Sequence, residues 1–208
     1  MSELAKKHKV YIAGGYPEKD EKDNCYNSAV LINPEGKSIL NHRKVHLYSR
    51  LGEDKVWVSG NNFKVVQTDL GRIGILICFD GDFPESWRSL ALQGVDLVLH
   101  PTAYESPCDE YGWWKKLYES NAIVNSVWCA SANLVGTTPV GNSHFFGWSR
   151  IINPYGEEVA RATRVHPGDY CDTEVLTAEI PFAEGLRKGR ERNGCFISDR
   201  RPEVYYSN

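Results

Sequence analysis

The chain has 208 residues, of which 41% are hydrophobic and 25% are charged, so its composition is that of a globular protein with a sizeable core. Its 24 basic and 27 acidic residues give a formal net charge of −3, which offers no electrostatic basis for binding nucleic acid. No apolar run reaches transmembrane length, and residues 1–7 are too polar for a signal peptide. We therefore expect neither a nucleic-acid partner nor a membrane partner.

The six cysteines, at positions 25, 78, 108, 129, 171 and 195, form no CxxC pair. Reduced thiols in a cytoplasmic protein are the simplest interpretation of that spacing. The six histidines show no HxH spacing and no cysteine pair accompanies them, so we expect no metal and no cofactor. No repeat or low-complexity linker interrupts the chain, and we predict a single domain over residues 1–208.

In chain order, the pattern first predicts a short helix over residues 2–8 and a strand over 10–13 that ends at Gly14. The charged residues 17–24 are interpreted as a loop. A strand over 26–32 follows, and the turn residues 33–36 connect it to a partner strand at the start of segment 37–47. Residues 48–62 show no period and predict a long functional loop.

Residues 73–77 are apolar except for Gly74 and predict a strand that is buried on both faces. Cys78 follows this strand directly, and Pro84 fits the first turn of a helix. This strand–elbow–helix unit places the thiol at the carboxyl end of a strand, beside the free N–H groups of a helix start. Ligands and nucleophiles commonly occupy that position in α/β proteins.

A cysteine taken alone is more often an inert buried residue than a nucleophile. The elbow and the acidic residues just beyond it, which include Asp80 and Asp82, favour a functional thiol here. Such a thiol needs help with its proton and with the oxyanion that forms on attack. Lys44 lies in a basic cluster that would supply a cation, although such clusters are usually solvated surface.

The remaining pattern predicts hairpins alternating with strand–helix–strand units. The predicted elements are a hairpin over 63–68 and 72–77, a strand over 95–99, a loop over 101–112, a helix over 113–126, a strand over 127–132, a hairpin over 146–153 and 157–162, a last strand over 173–180, and a basic helix after it. This mixture predicts mixed sheets with helices on one face of each, which is a layered α/β arrangement.

Six segments carry a resemblance that none of them would establish alone. They are Asn27-Ser28-Ala29 with Arg43-Lys44-Val45-His46-Leu47, the loop 53–60, Cys78-Phe79-Asp80 with Phe83-Pro84-Glu85, and residues 133–136, 147–156 and 201–205. In this order they resemble the motifs of the nitrilase superfamily, the carbon–nitrogen hydrolases, and the resemblance covers essentially the whole chain.

The resemblance implies an αββα sandwich, usually dimerised through its helices into a four-layer assembly. It also implies that Cys78 is the nucleophile and that Lys44 stabilises the oxyanion together with the backbone N–H of Phe79. Glu53 would be the family's second glutamate, which orients the lysine or the substrate nitrogen. The implied reaction is attack on an amide-type carbonyl, loss of ammonia or an amine, and hydrolysis of the thioester by water.

The chain departs from the family at its N-terminal end. The family's general base is a glutamate that precedes the first elements found here, so we expect a domain that is N-terminally short. Glu18 follows a proline as that base does, but we interpret it as solvated surface in a charged loop. A missing central strand would expose apolar surface, which predicts poor solubility or a partner that covers the gap.

Two further departures concern the substrate. Asp82 stands where carbamoyl-amino-acid hydrolases of the family have an arginine that helps to hold a carboxylate, and an aspartate would repel that group. Phe79 and Asp80 after the cysteine resemble the amide hydrolases of the family. We therefore favour a neutral or amine-bearing amide. Tyr104 either lines the substrate pocket or is a simple packing aromatic.

Our main hypothesis is a hydrolase that cleaves a small amide through a cysteine thioester, in a homodimer or higher homo-oligomer. One alternative is a catalytically inactive scaffold or regulatory protein that keeps the fold. Another is an N-carbamoyl hydrolase, if ureido substrates are cleaved. A redox-sensing thiol is the weakest alternative, because no resolving cysteine is placed near Cys78 by the sequence.

Overall fold

Two β-sheets face each other in a computed structural model that describes residues 1–109, 111–137, 144–166 and 172–205. Within these ranges the helices are α1 (Ser2–His8), α2 (Pro84–Leu92), α3 (Trp113–Asn125), α4 (Phe182–Asn193) and α5 (Cys195–Ser198). The strands are β1 (Ile12–Lys19), β2 (Cys25–Ile32), β3 (Ser38–Arg43), β4 (Val65–Thr68), β5 (Gly71–Ile75), β6 (Leu97–Thr102), β7 (Trp128–Asn133), β8 (Val135–Thr137), β9 (His144–Phe146), β10 (Arg150–Ile152) and β11 (Glu158–Arg161).

The smaller sheet is antiparallel in the order β1-β2-β3, and the larger sheet has the order β11-β10-β7-β6-β5-β4. In the larger sheet β5, β6 and β7 are parallel, whereas β4, β10 and β11 run antiparallel to their neighbours. The parallel strands are connected through α2 and α3, as parallel neighbours require. The carboxyl ends of β5 and β6 therefore lie at one edge, where the elbow follows β5.

The apolar run at β5 alternates between two cores. Ile73 and Ile75 pack between the sheets with Leu31 of β2, whereas Leu76 packs under the helices. Gly74 faces the helices as well, and a Cβ there would lie 3.0 Å from both methyl carbons of Leu90. The absence of a side chain at this position lets α2 pack directly on the sheet.

The order of layers follows from these cores. α2 and α3 cover the larger sheet through fully buried side chains such as Trp87 and Trp114. α1 covers the smaller sheet, where Ala5 packs with Val30 and Ile32. The chain therefore forms the αββα sandwich that the resemblance implied. Among the described residues, no helix has the length and apolarity that crossing a membrane requires.

The structure corrects three of the predicted elements. β1 continues to Lys19, through part of the segment predicted as a loop, because Pro17 is tolerated on an edge strand. Residues 173–180 form no strand. In the third predicted hairpin only Arg150–Ile152 pairs with β11, while residues 144–146 pair with β8.

Leu90 and Leu92 offer a matched test of the core beneath α2. Leu90 is 0% exposed and Leu92 is 50% exposed. We expect Leu90→Ala to lower the free energy of unfolding by about 2–5 kcal/mol, because it leaves a cavity in the core. Leu92→Ala should change it little, and both are measured by urea unfolding. Equal effects of the two substitutions would contradict the layer assignment.

Candidate functional site

Cys78 opens a 3-10 turn, Cys78–Asp82, directly after the buried run at β5. Its φ of 47° lies in the left-handed region, which non-glycine residues rarely adopt and which costs of order 1–3 kcal/mol. Such a conformation persists only where surrounding contacts hold it. The elbow is therefore a strained turn that presents a half-buried thiol.

His100 of β6 supplies one of these contacts. Its Nε2 donates to the carbonyl oxygen of Cys78 at 2.9 Å, and its Nδ1 lies 3.2 Å from the hydroxyl of Ser131. Burial lowers the pKa of His100 to about 4, so the ring is neutral near pH 7. A neutral ring that donates through Nε2 accepts at Nδ1, which assigns the Ser131 hydroxyl as the donor.

The turn packs closely against this histidine. A Cβ at Gly81 would lie 2.7 Å from the hydroxyl oxygen of Tyr118 and 2.9 Å from His100 Nε2. Trp87 Nε1 donates to the carbonyl oxygen of Gly81 at 2.8 Å. Only glycine leaves room for this approach, so packing fixes the turn at Gly81.

Asp80 joins the elbow to the segment that carries Lys44. Its Oδ1 accepts from the backbone N–H of Val45 at 3.1 Å and from His46 through both the backbone N–H at 2.9 Å and Nδ1 at 3.1 Å. Its Oδ2 accepts from His42 Nε2 at 2.9 Å and from the backbone N–H of Ile77 at 3.1 Å. Burial alone would raise the pKa of Asp80, but the hydrogen bonds from His42 and His46 hold it well below its usual range.

Lys44 is 1% exposed, and its Nζ lies 2.5 Å from Glu53 Oε2. Glu53 also accepts from the backbone N–H of Tyr48 at 2.7 Å and from Asn27 Nδ2 at 3.2 Å. The backbone of Lys44 is fixed on both sides, since its N–H donates to the Asn27 carbonyl and its carbonyl accepts from Gly60, each at 2.8 Å. The lysine predicted from sequence is therefore a buried, ion-paired cation and not a solvated one.

A small cavity of about 30 Å³ opens at the elbow. Its lining residues are Tyr48, Leu51, Cys78, Phe79, Asp82, Ala103, Tyr104 and Glu105. The structure thus brings three predicted pocket residues, Phe79, Asp82 and Tyr104, to the cavity that the predicted nucleophile lines. Their roles in binding or catalysis stay predictions.

Asp82 ends the turn that begins at Cys78 and is partly buried. The hydroxyl of Tyr118 donates to its Oδ1 at 3.5 Å, which is a long contact. Burial raises the pKa of Asp82 to about 7, although hydrogen bonding by Tyr118 and Tyr104 and the charge of Lys44 oppose this. The carboxyl is therefore divided between its neutral and charged forms near neutral pH.

The interpretation of Glu18 as solvated surface is wrong. Glu18 lies on β1, and its side chain is 15% exposed. It pairs with Arg43 Nη2 at 2.5 Å and accepts from Ser28 Oγ at 2.6 Å and from Asn41 Nδ2 at 2.9 Å. The hydrogen bond from Arg43 is the main reason that its pKa falls to about 2. Glu18 is not among the residues that line the cavity.

Sequence reasoning missed the supporting shell of the elbow. His100 and Tyr118 had no motif that marked them, because one lies on β6 and the other on α3. His42 and His46 were visible as part of the basic cluster, but their common partner Asp80 was not. The apolar pattern predicted β6 and α3. The contacts of His100 and Tyr118 with the elbow depend instead on how these elements pack in three dimensions.

Comparisons with known proteins agree with this geometry. The sequence model of the family described as carbon-nitrogen hydrolase matches residues 1–185. The chain is 35% identical over 207 residues to a probable nitrilase of Schizosaccharomyces pombe, covering 99% of the chain and 71% of that relative. It is 34% identical over 220 residues to the N-carbamoylputrescine amidase of Solanum tuberosum, covering 99% of the chain and 70% of that relative.

A solved structure gives the same assignment from the backbone. The carbon-nitrogen hydrolase from Helicobacter pylori superposes with a TM-score of 0.86 at 28% identity, covering 98% of the chain and 72% of that structure. The chain therefore belongs to the carbon-nitrogen hydrolase family. The resemblance to the nitrilase superfamily and the αββα fold that it implied are confirmed.

We expect Asp80→Asn to lower the free energy of unfolding by about 3 kcal/mol at pH 7, because it removes a buried charge that two histidines share. The pKa of Asp80 is lower in the folded chain than in the unfolded one. Its stabilisation is therefore present above the unfolded value of about 3.9 and is lost as the pH falls towards the folded value. Urea unfolding at several pH values should show that the difference in free energy of unfolding between wild type and Asp80→Asn becomes smaller below about pH 4.

Asp23→Asn is the control for this substitution, since Asp23 is an 84% exposed carboxylate paired with Lys19. We expect it to leave the unfolding curve unchanged. If the difference in free energy of unfolding between wild type and Asp80→Asn stayed constant down to pH 2, the ionised state assigned to Asp80 would be contradicted.

Proposed function

We propose that the chain hydrolyses the C–N bond of a small, non-peptide amide through a thioester on Cys78, releasing ammonia or an amine. The observation that carries the proposal is the elbow itself. A strained, half-buried thiol lines a cavity, and Asp80 ties its turn to the segment that carries the buried Lys44–Glu53 pair. Two relatives, a probable nitrilase and an N-carbamoylputrescine amidase, support the same class of reaction.

The reaction proceeds in two stages. The Cys78 sulfur bonds to the carbonyl carbon, and the carbonyl oxygen takes the negative charge. As the C–N bond breaks, the proton of the thiol ends on the leaving nitrogen and a thioester remains. Water then attacks the thioester, the C–S bond breaks, and a carboxylic acid leaves while the thiol regains a proton.

Lys44 and the backbone N–H of Phe79 are assigned to the oxyanion. Phe79 is the second residue of the 3-10 turn, where backbone N–H groups have no partner within the turn. A buried ammonium acts strongly on a nearby developing charge because little water screens it. Glu53 orients the lysine through the 2.5 Å contact, and the Tyr48 N–H in turn orients Glu53.

We also propose that the chain acts in the cytoplasm as a homodimer or higher homo-oligomer. The described cysteines Cys25, Cys78, Cys129 and Cys195 are all free, which supports a reducing compartment. Exposed apolar side chains near the end of the chain, Phe196, Val204 and Tyr205, support association with a second copy.

Substitution of Cys78 tests its proposed role as the nucleophile. Cys78→Ala should abolish ammonia release from a panel of small amides and carbamoyl compounds, because no thioester can form. Cys195→Ala removes an exposed thiol on α5 and should leave the rate unchanged. Residual turnover in Cys78→Ala would contradict the proposal. Folded wild-type protein that releases no ammonia from any compound would favour the catalytically inactive scaffold instead.

Substitutions at Lys44 and Glu53 distinguish the proposed catalytic role of Lys44 from its contribution to stability. Lys44→Met should lower kcat/KM by about 10²–10³-fold, because it removes an oxyanion donor. It also leaves Glu53 without its cation, which should destabilise the fold. The paired variant Lys44→Met with Glu53→Gln should recover stability in urea unfolding but not activity. Recovery of activity in the paired variant would contradict the assigned role of Lys44.

A further inference from the structure

We propose that Asp82 makes this site selective for amides that carry a primary ammonium group at the far end of a short chain. The inference rests on the proposed function, because it names the substrate class of the same site. It assigns the recognition to one carboxyl, which would bind the ammonium group while Cys78 attacks the carbonyl carbon.

The two residues are placed for a substrate that reaches both. Cys78 and Asp82 are the first and last residues of one 3-10 turn, and both line the cavity. A 3-10 helix rises about 2 Å per residue, so the two Cα atoms are separated by roughly 8 Å along the turn. A short, extended substrate with its carbonyl carbon at the thiol therefore has its other end near Asp82.

Asp82 forms no ion pair with a residue that the structure describes. Tyr118 and Tyr104 act on it through hydroxyl groups, which are neutral donors. None of the ion pairs found among the described residues includes Asp82. Lys44 is near enough to act on its charge, but Glu53 already pairs with that lysine at 2.5 Å. A ligand ammonium group would therefore supply the direct ion-pair partner that the described residues do not.

The walls of the cavity suit a cation as well. Tyr48 and Phe79 meet edge to face with ring centroids 4.9 Å apart, and Tyr104 lines the same space. Aromatic faces attract ammonium groups. A substrate carboxylate would meet repulsion from the charged form of Asp82.

The preference for substrates that carry an ammonium group should depend on pH. Around Asp82 the titratable groups are Cys78 on its own turn, Lys44 with Glu53 on the segment after β3, Glu105 and Tyr104 after β6, His100 on β6 and Tyr118 on α3. His100 is neutral above its pKa of about 4, and burial raises the pKa of Tyr118 well above its usual value. Asp82, with a pKa of about 7, therefore gains its charge as the pH rises through neutrality, and preference for ammonium substrates rises with it.

The test compares three amides of similar size that differ in charge. They are γ-aminobutyramide, which carries an ammonium group, valeramide, which is neutral, and succinamate, which carries a carboxylate. We expect wild type to prefer γ-aminobutyramide over valeramide in kcat/KM, and to prefer it more at pH 8 than at pH 6. In Asp82→Asn that ratio should fall by about 10–100-fold and lose its pH dependence.

Two controls keep the result specific. Asp54→Asn removes an exposed acid from the loop beside the site and should leave the ratio unchanged, which excludes a general effect of net charge. The thermal unfolding midpoint of Asp82→Asn at pH 8 should be no lower than that of wild type, since burial disfavours the charged carboxyl that the substitution removes. Succinamate should gain in Asp82→Asn relative to valeramide.

Binding to the Cys78→Ala protein, measured by calorimetry with the same amides, separates this inference from the proposed function. Tighter binding of γ-aminobutyramide than of valeramide, lost when Asp82→Asn is added, would support the inference even without turnover. Turnover of valeramide with a ratio that Asp82→Asn does not change would overturn the inference and leave the proposed function standing. Neither turnover nor preferential binding would overturn both.

Discussion

The site depends on one buried carboxylate, Asp80, which accepts hydrogen bonds from the segment after β3 and from the end of the run that follows β5. These two segments belong to different sheets, so Asp80 fixes one layer of the sandwich against the other. A buried charge is tolerated only where donors surround it, and His42 and His46 provide them. The register between the Lys44 segment and the Cys78 turn follows from this constraint.

Three carboxyl groups near the elbow illustrate how environment divides similar residues among different tasks. Asp80 is surrounded by N–H donors and keeps its charge, so it serves as a structural acceptor. Glu53 is paired with a buried lysine and orients it. Asp82 meets hydroxyl groups and aromatic walls, so burial raises its pKa to about 7 and leaves it responsive to a ligand. Asp80 and Asp82 are only two positions apart in the sequence, but N–H donors lower the pKa of Asp80 whereas burial raises the pKa of Asp82.

Local patterns predicted the elements that carry strong local signals. The buried strand before Cys78 is present but ends at Ile75 and not at residue 77, Pro84 begins α2 as predicted, and the helix predicted over 113–126 spans Trp113–Asn125. The extension of β1 to Lys19 was missed because charged residues alternate along an edge strand, where one face meets solvent. The ion pair between Glu18 and Arg43 could not be predicted either, because it depends on the register of two strands on either side of β2.

The hydrogen bond from β6 that supports the Cys78 turn comes from a neutral side chain. His100 holds the strained turn through a neutral ring, and its pKa of about 4 keeps that state across neutral pH. Asp80 stays charged over the same range because its pKa lies well below its usual value. Asp82 therefore changes charge near pH 7 while His100 and Asp80 do not. These two groups can hold the Cys78 turn in place while the charge of Asp82 changes.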